Sequence, residues 1–130
     1  MISQQELDRM VGKVFTEVSI WEYTLLLENK QDRCSFRFYH QESWSEQVYA
    51  EVDIGNLSDL VNSPILSVKE KYDGGEHDDD NGTNRNWISY EFETTKGIVI
   101  VYWEGRYHDD EDGYGPSLAL QAVVNGMNLL

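Results

Sequence analysis

Apolar and polar residues alternate along most of this chain, most sharply between Trp87 and Gly105. Ile88, Tyr90 and Phe92 point to one face of an extended strand, and Trp87, Ser89, Glu91 and Glu93 to the other. Thr95-Lys96-Gly97 supplies a turn in which Gly97 is free to take a positive φ. Ile98 to Trp103 is then apolar on both faces and rich in β-branched and aromatic residues, which predicts a central strand covered on both sides. A buried hairpin of this kind needs neighbouring strands to pair with.

The same reading extends along the rest of the chain. Ser3-Gln4-Gln5-Glu6 is a capping box, Leu7, Met10 and Val11 follow at helical spacing, and Gly12 suits the residue just past a helix end. Val14, Thr16, Val18 and Ile20 alternate as one face of a strand that ends at Trp21, and Tyr23 to Leu27 continues extended. Asn29-Lys30-Gln31-Asp32 reads as a turn. In the next strand Cys34, Phe36, Phe38 and His40 alternate inward against Arg33, Ser35, Arg37 and Tyr39. That places Cys34 in the core rather than in the role of a nucleophile, and makes His40 a structural histidine.

Trp44 lies in a polar loop, 41–47, where it either folds back on the core or anchors a partner. Val48, Ala50 and Val52 alternate with Tyr49, Glu51 and Asp53 in another strand. Asn56 is placed to cap a helical turn from Leu57 to Val61, which ends before Ser63-Pro64. From Ile65 a further strand sets Leu66, Val68 and Tyr72 against Ser67, Lys69 and Lys71. Ser117 to Val124 suits a strand that pairs with the hairpin upstream, and Asn125-Gly126 suits a turn. No repeat or linker divides residues 1–130, so one domain is expected. The predicted fold class is α+β: one twisted, mostly antiparallel sheet of about six or seven strands with a short N-terminal helix packed on it.

Two segments break the alternation. Residues 73–86, DGGEHDDDNGTNRN, hold no apolar side chain and predict a solvated, mobile loop. Residues 106–116, RYHDDEDGYGP, repeat that character but add Tyr107 and Tyr114. The whole chain carries 24 acidic against 10 basic residues, a formal charge of −14. Such a surface repels nucleic acid and anionic membrane and attracts a basic protein groove or cations, although acidity also serves solubility alone. A single cysteine excludes an internal disulfide. The N-terminus lacks the apolar core of a signal peptide, and no apolar run approaches the roughly 20 residues that span a bilayer. A soluble cytoplasmic protein is expected.

Catalytic motifs are missing. An EF-hand loop opens on Asp, turns at Gly and closes on Glu. With Gly113 at the turn His108 takes the opening place; with Gly82 there, His77 opens and Ile88 closes. Only weak, non-specific cation binding by Asp78-Asp79-Asp80 or Asp109-Asp110-Glu111-Asp112 is left. His77-Asp78 and His108-Asp109 are lone dipeptides without the additional ligands of a catalytic metal site. No nucleophile elbow, Cys–His pair, phosphate-binding glycine loop or zinc cysteine spacing occurs. Glycosidase-like carboxylate pairs would arise by chance among so many acids. Arg33, Arg37, Lys69 and Lys71 can share a sheet, but in a negative field they do not make a nucleic-acid surface. The expected protein is therefore not an enzyme and needs no cofactor or metal.

Several segments carry a resemblance: Tyr39-His40, Gly55-Asn56-Leu57-Ser58-Asp59-Leu60, Pro64-Ile65-Leu66, Thr94-Thr95-Lys96-Gly97 and Trp103-Glu104-Gly105. Together they make most of residues 12–117 resemble a small family of domains of unknown function from tailed phages and bacterial prophages. Members of that family often have adjacent cysteines where this chain has Trp44-Ser45, so a metal or thiol role there does not carry over. They also tend to have a Ser-Asn-Gly-Tyr-Tyr-like loop in place of DDEDGYG. The resemblance implies no established activity. It implies a phage context, in which small acidic proteins frequently inactivate host defence machinery.

Charge and resemblance together predict a non-enzymatic anti-defence inhibitor in the bacterial cytoplasm, bound to a host immune nuclease or CRISPR effector. Asp78, Asp79, Asp80, Asp109, Asp110, Glu111 and Asp112 would stand in for DNA phosphates against a basic groove, and Trp44, Tyr107 and Tyr114 would supply anchors. The alternative is a sponge for a nucleotide immune signal, with Tyr and Trp faces stacking a base and Arg85 or Arg106 holding a phosphate. That alternative predicts a homo-oligomer; the inhibitor is compatible with a monomer or a homodimer.

Overall fold

Two antiparallel sheets, rather than the single sheet expected, bury one face each against the other. The structure, a computed structural model, describes residues 2–40, 47–78, 83–108 and 118–128. Among these, the strands are β1 (Glu17–Trp21), β2 (Thr24–Asn29), β3 (Cys34–His40), β4 (Gln47–Ile54), β5 (Ile65–Asp78), β6 (Thr83–Thr94), β7 (Gly97–His108), β8 (Leu118–Val124) and β9 (Met127–Asn128). They assemble in the orders β1-β2-β3-β8-β9 and β4-β7-β6-β5. The reason for two sheets lies in the apolar stripes. Phe36 and Phe38 on β3 pair across from Ala122 and Leu120 on β8, and Tyr90 and Phe92 on β6 pair across from Val101 and Val99 on β7. Each sheet is apolar on one face, and the single α-helix, α1 (Gln4–Leu7), is too short to cover such an area.

Phe38 sits at the centre of the contact. Its ring lies 5.4 Å from Tyr90, 5.7 Å from Phe92 and 5.8 Å from Trp103, all on the opposite sheet. All four side chains are fully buried. The Trp103 indole N–H donates to the Tyr23 carbonyl at 2.8 Å, so the largest core residue also has its polar atom satisfied across the two sheets. At the margin the Ala50 amide donates to the Glu22 carbonyl at 3.2 Å, tying β4 to the β1–β2 turn.

Several sequence expectations hold locally. Ser3 caps α1 by accepting from the Glu6 amide, Leu7 and Met10 are buried, and Gly12 takes φ +85°. Cys34, Phe36, Phe38 and His40 face inward, and the Asn29–Asp32 turn is held by the Asn29 side chain. Leu118 to Val124 is a strand, but it pairs with β3 rather than with the upstream hairpin. The alternation had no means of naming its partner.

Other expectations fail for reasons of register. Phe15, not Val14, is buried, because residues 12–15 pair with the chain before β5 while residues 17–21 pair with β2, and the segment bends between the two. Residues 24–27 are extended as expected, but in a separate strand: the chain turns at Glu22 and returns as β2. A bulge between Ile65 and Ser67 puts Ile65 and Val68 inside and Leu66 outside. Asn56 makes no side-chain cap, and Leu57–Leu60 is a single 3₁₀ turn. Residues 73–78 and 83–86 extend β5 and β6 and are not loop, since hairpin pairing satisfies their backbones without any apolar side chain. Arg106 to His108 likewise belongs to β7. The outer face of β7 is not covered by a further layer among the described residues, and Ile98 is 46% exposed there.

Phe38→Ala should remove the central contact and destabilise the fold by about 3–5 kcal/mol. Trp21→Ala, at a side chain 76% exposed on a hairpin tip, should change stability by less than about 0.5 kcal/mol. Urea unfolding midpoints at unchanged m-value check both, and equal effects would contradict the two-sheet packing.

Candidate functional site

With the inner face of the four-stranded sheet committed to the core, its outer face gathers charged, hydroxyl and aromatic side chains. The period of two brings Arg85, Trp87, Ser89 and Glu91 of β6 to that face, and pairing sets them beside Arg106, Glu104, Tyr102 and Ile100 of β7. β4 places Glu51 next to Tyr102, and β5 places Gly74, which has no side chain, next to Trp87. The result is a groove of about 380 Å³. Ser89 and Ile100 form its nearly buried floor, Trp87 and Arg85 lie along one part of the wall, and Lys71 of β5 and Asp53 of β4 approach from the two edge strands.

The charges in the groove are arranged rather than scattered. Arg85 and Arg106 face each other directly across two strands, a repulsive pairing by itself. Glu104, only 9% exposed, accepts from Arg85 Nε and lies 3.7 Å from Arg106 Nη2. Glu76 accepts from Arg85 Nη1 at 3.0 Å. The Arg85 guanidinium, held by two carboxylates, also sits over the Trp87 ring at 5.6 Å. Tyr102 donates its hydroxyl to Glu51 at 2.7 Å. That hydrogen bond, then partial burial, then the negative charge of Glu51 and Asp53 push the phenol above its ordinary range. Tyr102 is thus a neutral donor at physiological pH.

At the far end of the same sheet Asp78 pairs with Thr83, and Thr83 with His108. The described ends of β5, β6 and β7 therefore lie side by side. Asp79, Asp80, Asp109, Asp110, Glu111, Asp112, Trp44 and Tyr114 lie outside the described residues. Asp78 and Tyr107 fall within the strands, with Tyr107 paired to Asn84. Arg37 and Lys69 do not share a sheet: Arg37 is on β3 and stacks 4.8 Å over Tyr39, while Lys69 is on β5 and pairs with Glu91 at 3.3 Å. Cys34 is a buried free thiol, pushed up by burial and so poorly nucleophilic, and His40 packs edge-on to Tyr23. Among the described residues no three His, Cys, Asp or Glu side chains come together to hold a metal, and no helix is long and apolar enough to cross a membrane.

Sequence reasoning named Arg85, Arg106 and the outward set Trp87–Ser89 but did not assemble the groove. Lys71 and Asp53 were missed because only the pairing of β5 and β4 brings them to it. The signal available was the outer face of β7, where Ile100 and Tyr102 are too apolar for a plain solvent face.

The raised Tyr102 pKa has a consequence. A group raised in the folded state adds stability below its unfolded value, here the ordinary 10.0, and that stability is lost as pH rises through the folded value. The difference in tyrosinate absorbance between the native protein and Tyr102→Phe should titrate with a midpoint above 10.0, and Glu51→Gln should lower it. A midpoint at 10.0 in the native protein would rule out the Glu51 bond.

Comparison with known proteins finds no curated protein and no solved structure that matches the chain. A family model does match, over residues 8–117, which takes in β1 to β7 and stops where β8 begins. By that match the chain belongs to the family described as a domain of unknown function, DUF7448.

Proposed function

We propose that this protein is a non-enzymatic anti-defence inhibitor of phage or prophage origin, which binds a host immune nuclease or CRISPR effector through the acidic end of its four-stranded sheet. The observation that supports this reading is the register that sets Asp78, Thr83 and His108 side by side. β5 and β7 flank β6, so the two acidic segments begin about two strand spacings apart, roughly 10 Å. That separation is close to a Debye length at physiological salt, about 8 Å, so an approaching basic surface meets one combined negative field. The net charge of −14 adds to it over a longer range at low salt. Carboxylates so grouped compete with DNA phosphates for Lys and Arg. Electrostatic steering then speeds association, and salt weakens it.

A surface carboxylate typically contributes little to folding, so a charge-neutralised variant that keeps the fold isolates the effect of charge on binding. The test uses the tagged protein as bait in bacterial lysate at low and high salt, with mass spectrometry of the eluate. The expected result is a nuclease or effector subunit retained at low salt, released at high salt and lost from D109N/D110N/E111Q/D112N, whose circular dichroism matches the native protein. Absence of such a partner, or retention unchanged in the neutralised variant, would overturn the proposal.

A further inference from the structure

We infer that the groove on the outer face of the four-stranded sheet binds a planar nitrogen heterocycle carrying one anionic group, the chemistry that a nucleoside monophosphate presents. This inference stands on the groove alone and does not depend on the acidic end. The volume, about 380 Å³, lies within the range of small-ligand clefts. Its lining supplies each part of such a ligand with a counterpart.

The flat part of the ligand meets a ready platform. Glu104 and Glu76 hold the Arg85 guanidinium, and the Trp87 ring lies behind it at 5.6 Å. A guanidinium plane or an aromatic ring stacks a base whatever its sequence identity, and a platform already fixed loses little side-chain freedom on binding. Gly74 pairs with Trp87, so β5 sets no side chain at that position.

The edge of the heterocycle meets acceptors. Asp53 brings a carboxylate and Ser89 a hydroxyl to the lining, which suits ring N–H and amino groups. Tyr102 has its hydroxyl engaged by Glu51, so it contributes ring surface.

The anionic group meets Lys71. Arg85 is engaged by two carboxylates, so among the described residues lining the groove Lys71, at the β5 bulge, is the cation suited to an incoming charge. Lining charges are balanced, Lys71 and Arg85 against Asp53 and Glu104, inside a protein of net charge −14. One phosphate is accommodated; a triphosphate is repelled by the lining carboxylates and by the surrounding field. The groove therefore discriminates by charge as well as by shape.

Isothermal titration of the full chain with AMP, GMP, CMP and UMP, with adenosine and ATP as charge controls, tests this. At least one monophosphate should bind saturably, and ATP should bind more weakly than AMP at low salt. Lys71→Gln should weaken monophosphate binding about tenfold, the loss of one charge-assisted contact, and leave adenosine unaffected. Trp87→Leu should weaken adenosine and AMP alike. Should Trp87→Leu fail to fold, Ser89→Ala, which removes a floor hydroxyl, replaces it with the same expected direction. No saturable heat from any of the four monophosphates, tighter ATP than AMP, or affinity unchanged in Lys71→Gln would overturn the inference.

Discussion

The packing of Phe38 against Tyr90, Phe92 and Trp103 is the contact on which the remainder of the structure depends. It joins two sheets that would otherwise each expose an apolar face, and it sets their separation and alignment. Aromatic rings at edge and stacked geometries add to the area they remove from water. The Trp103 bond to the Tyr23 carbonyl fixes one orientation for the largest ring. A core built this way needs no disulfide and little help from a helix, which is consistent with the one buried cysteine and the short α1.

Burial of one face has a consequence for the other. A strand whose inner residues are Ile88, Tyr90 and Phe92 must present Trp87, Ser89 and Glu91 outward. The groove is the outward image of the core, and its geometry is inherited from the same register. Glu104 makes that register tolerable, because without a carboxylate nearby Arg85 and Arg106 would repel each other across β6 and β7. The pairing that relieves the repulsion also holds Arg85 over Trp87.

The paired ends of β5, β6 and β7 lie beyond the groove along the same sheet. The long β5–β6–β7 arm carries strand backbone beyond the core, and Arg85 pairs with Glu76 across it. Exposed ion pairs contribute little each, about 0–1 kcal/mol, so the arm is held mainly by its ladder of backbone hydrogen bonds.

The sequence by itself determined the strands whose side chains alternate without interruption. Phe36 and Phe38, Ala50, Tyr90 and Phe92, Leu118 and Leu120 all lie inward as the period of two requires, because that period is a local property of the pleat. It also determined the turns, since positive φ at Gly97, Asn125 and Gly126 follows from residue type. Only the tertiary structure decided which strands became neighbours. The β3–β8 pairing, the exposure of Leu66 at a bulge and the burial of Phe15 instead of Val14 depend on partners distant in sequence. The same limit applied to the site: Trp87 was legible as an outward residue, whereas Arg85, placed in a loop by its neighbours' polarity, and Lys71 and Asp53 join it only through strand pairing that alternation does not order. Residues 73–78 and 83–86 show the limit from the other side. Polarity suggested a loop, yet backbone pairing satisfies a strand whatever its side chains, and that pairing exists only once β6 has found β5.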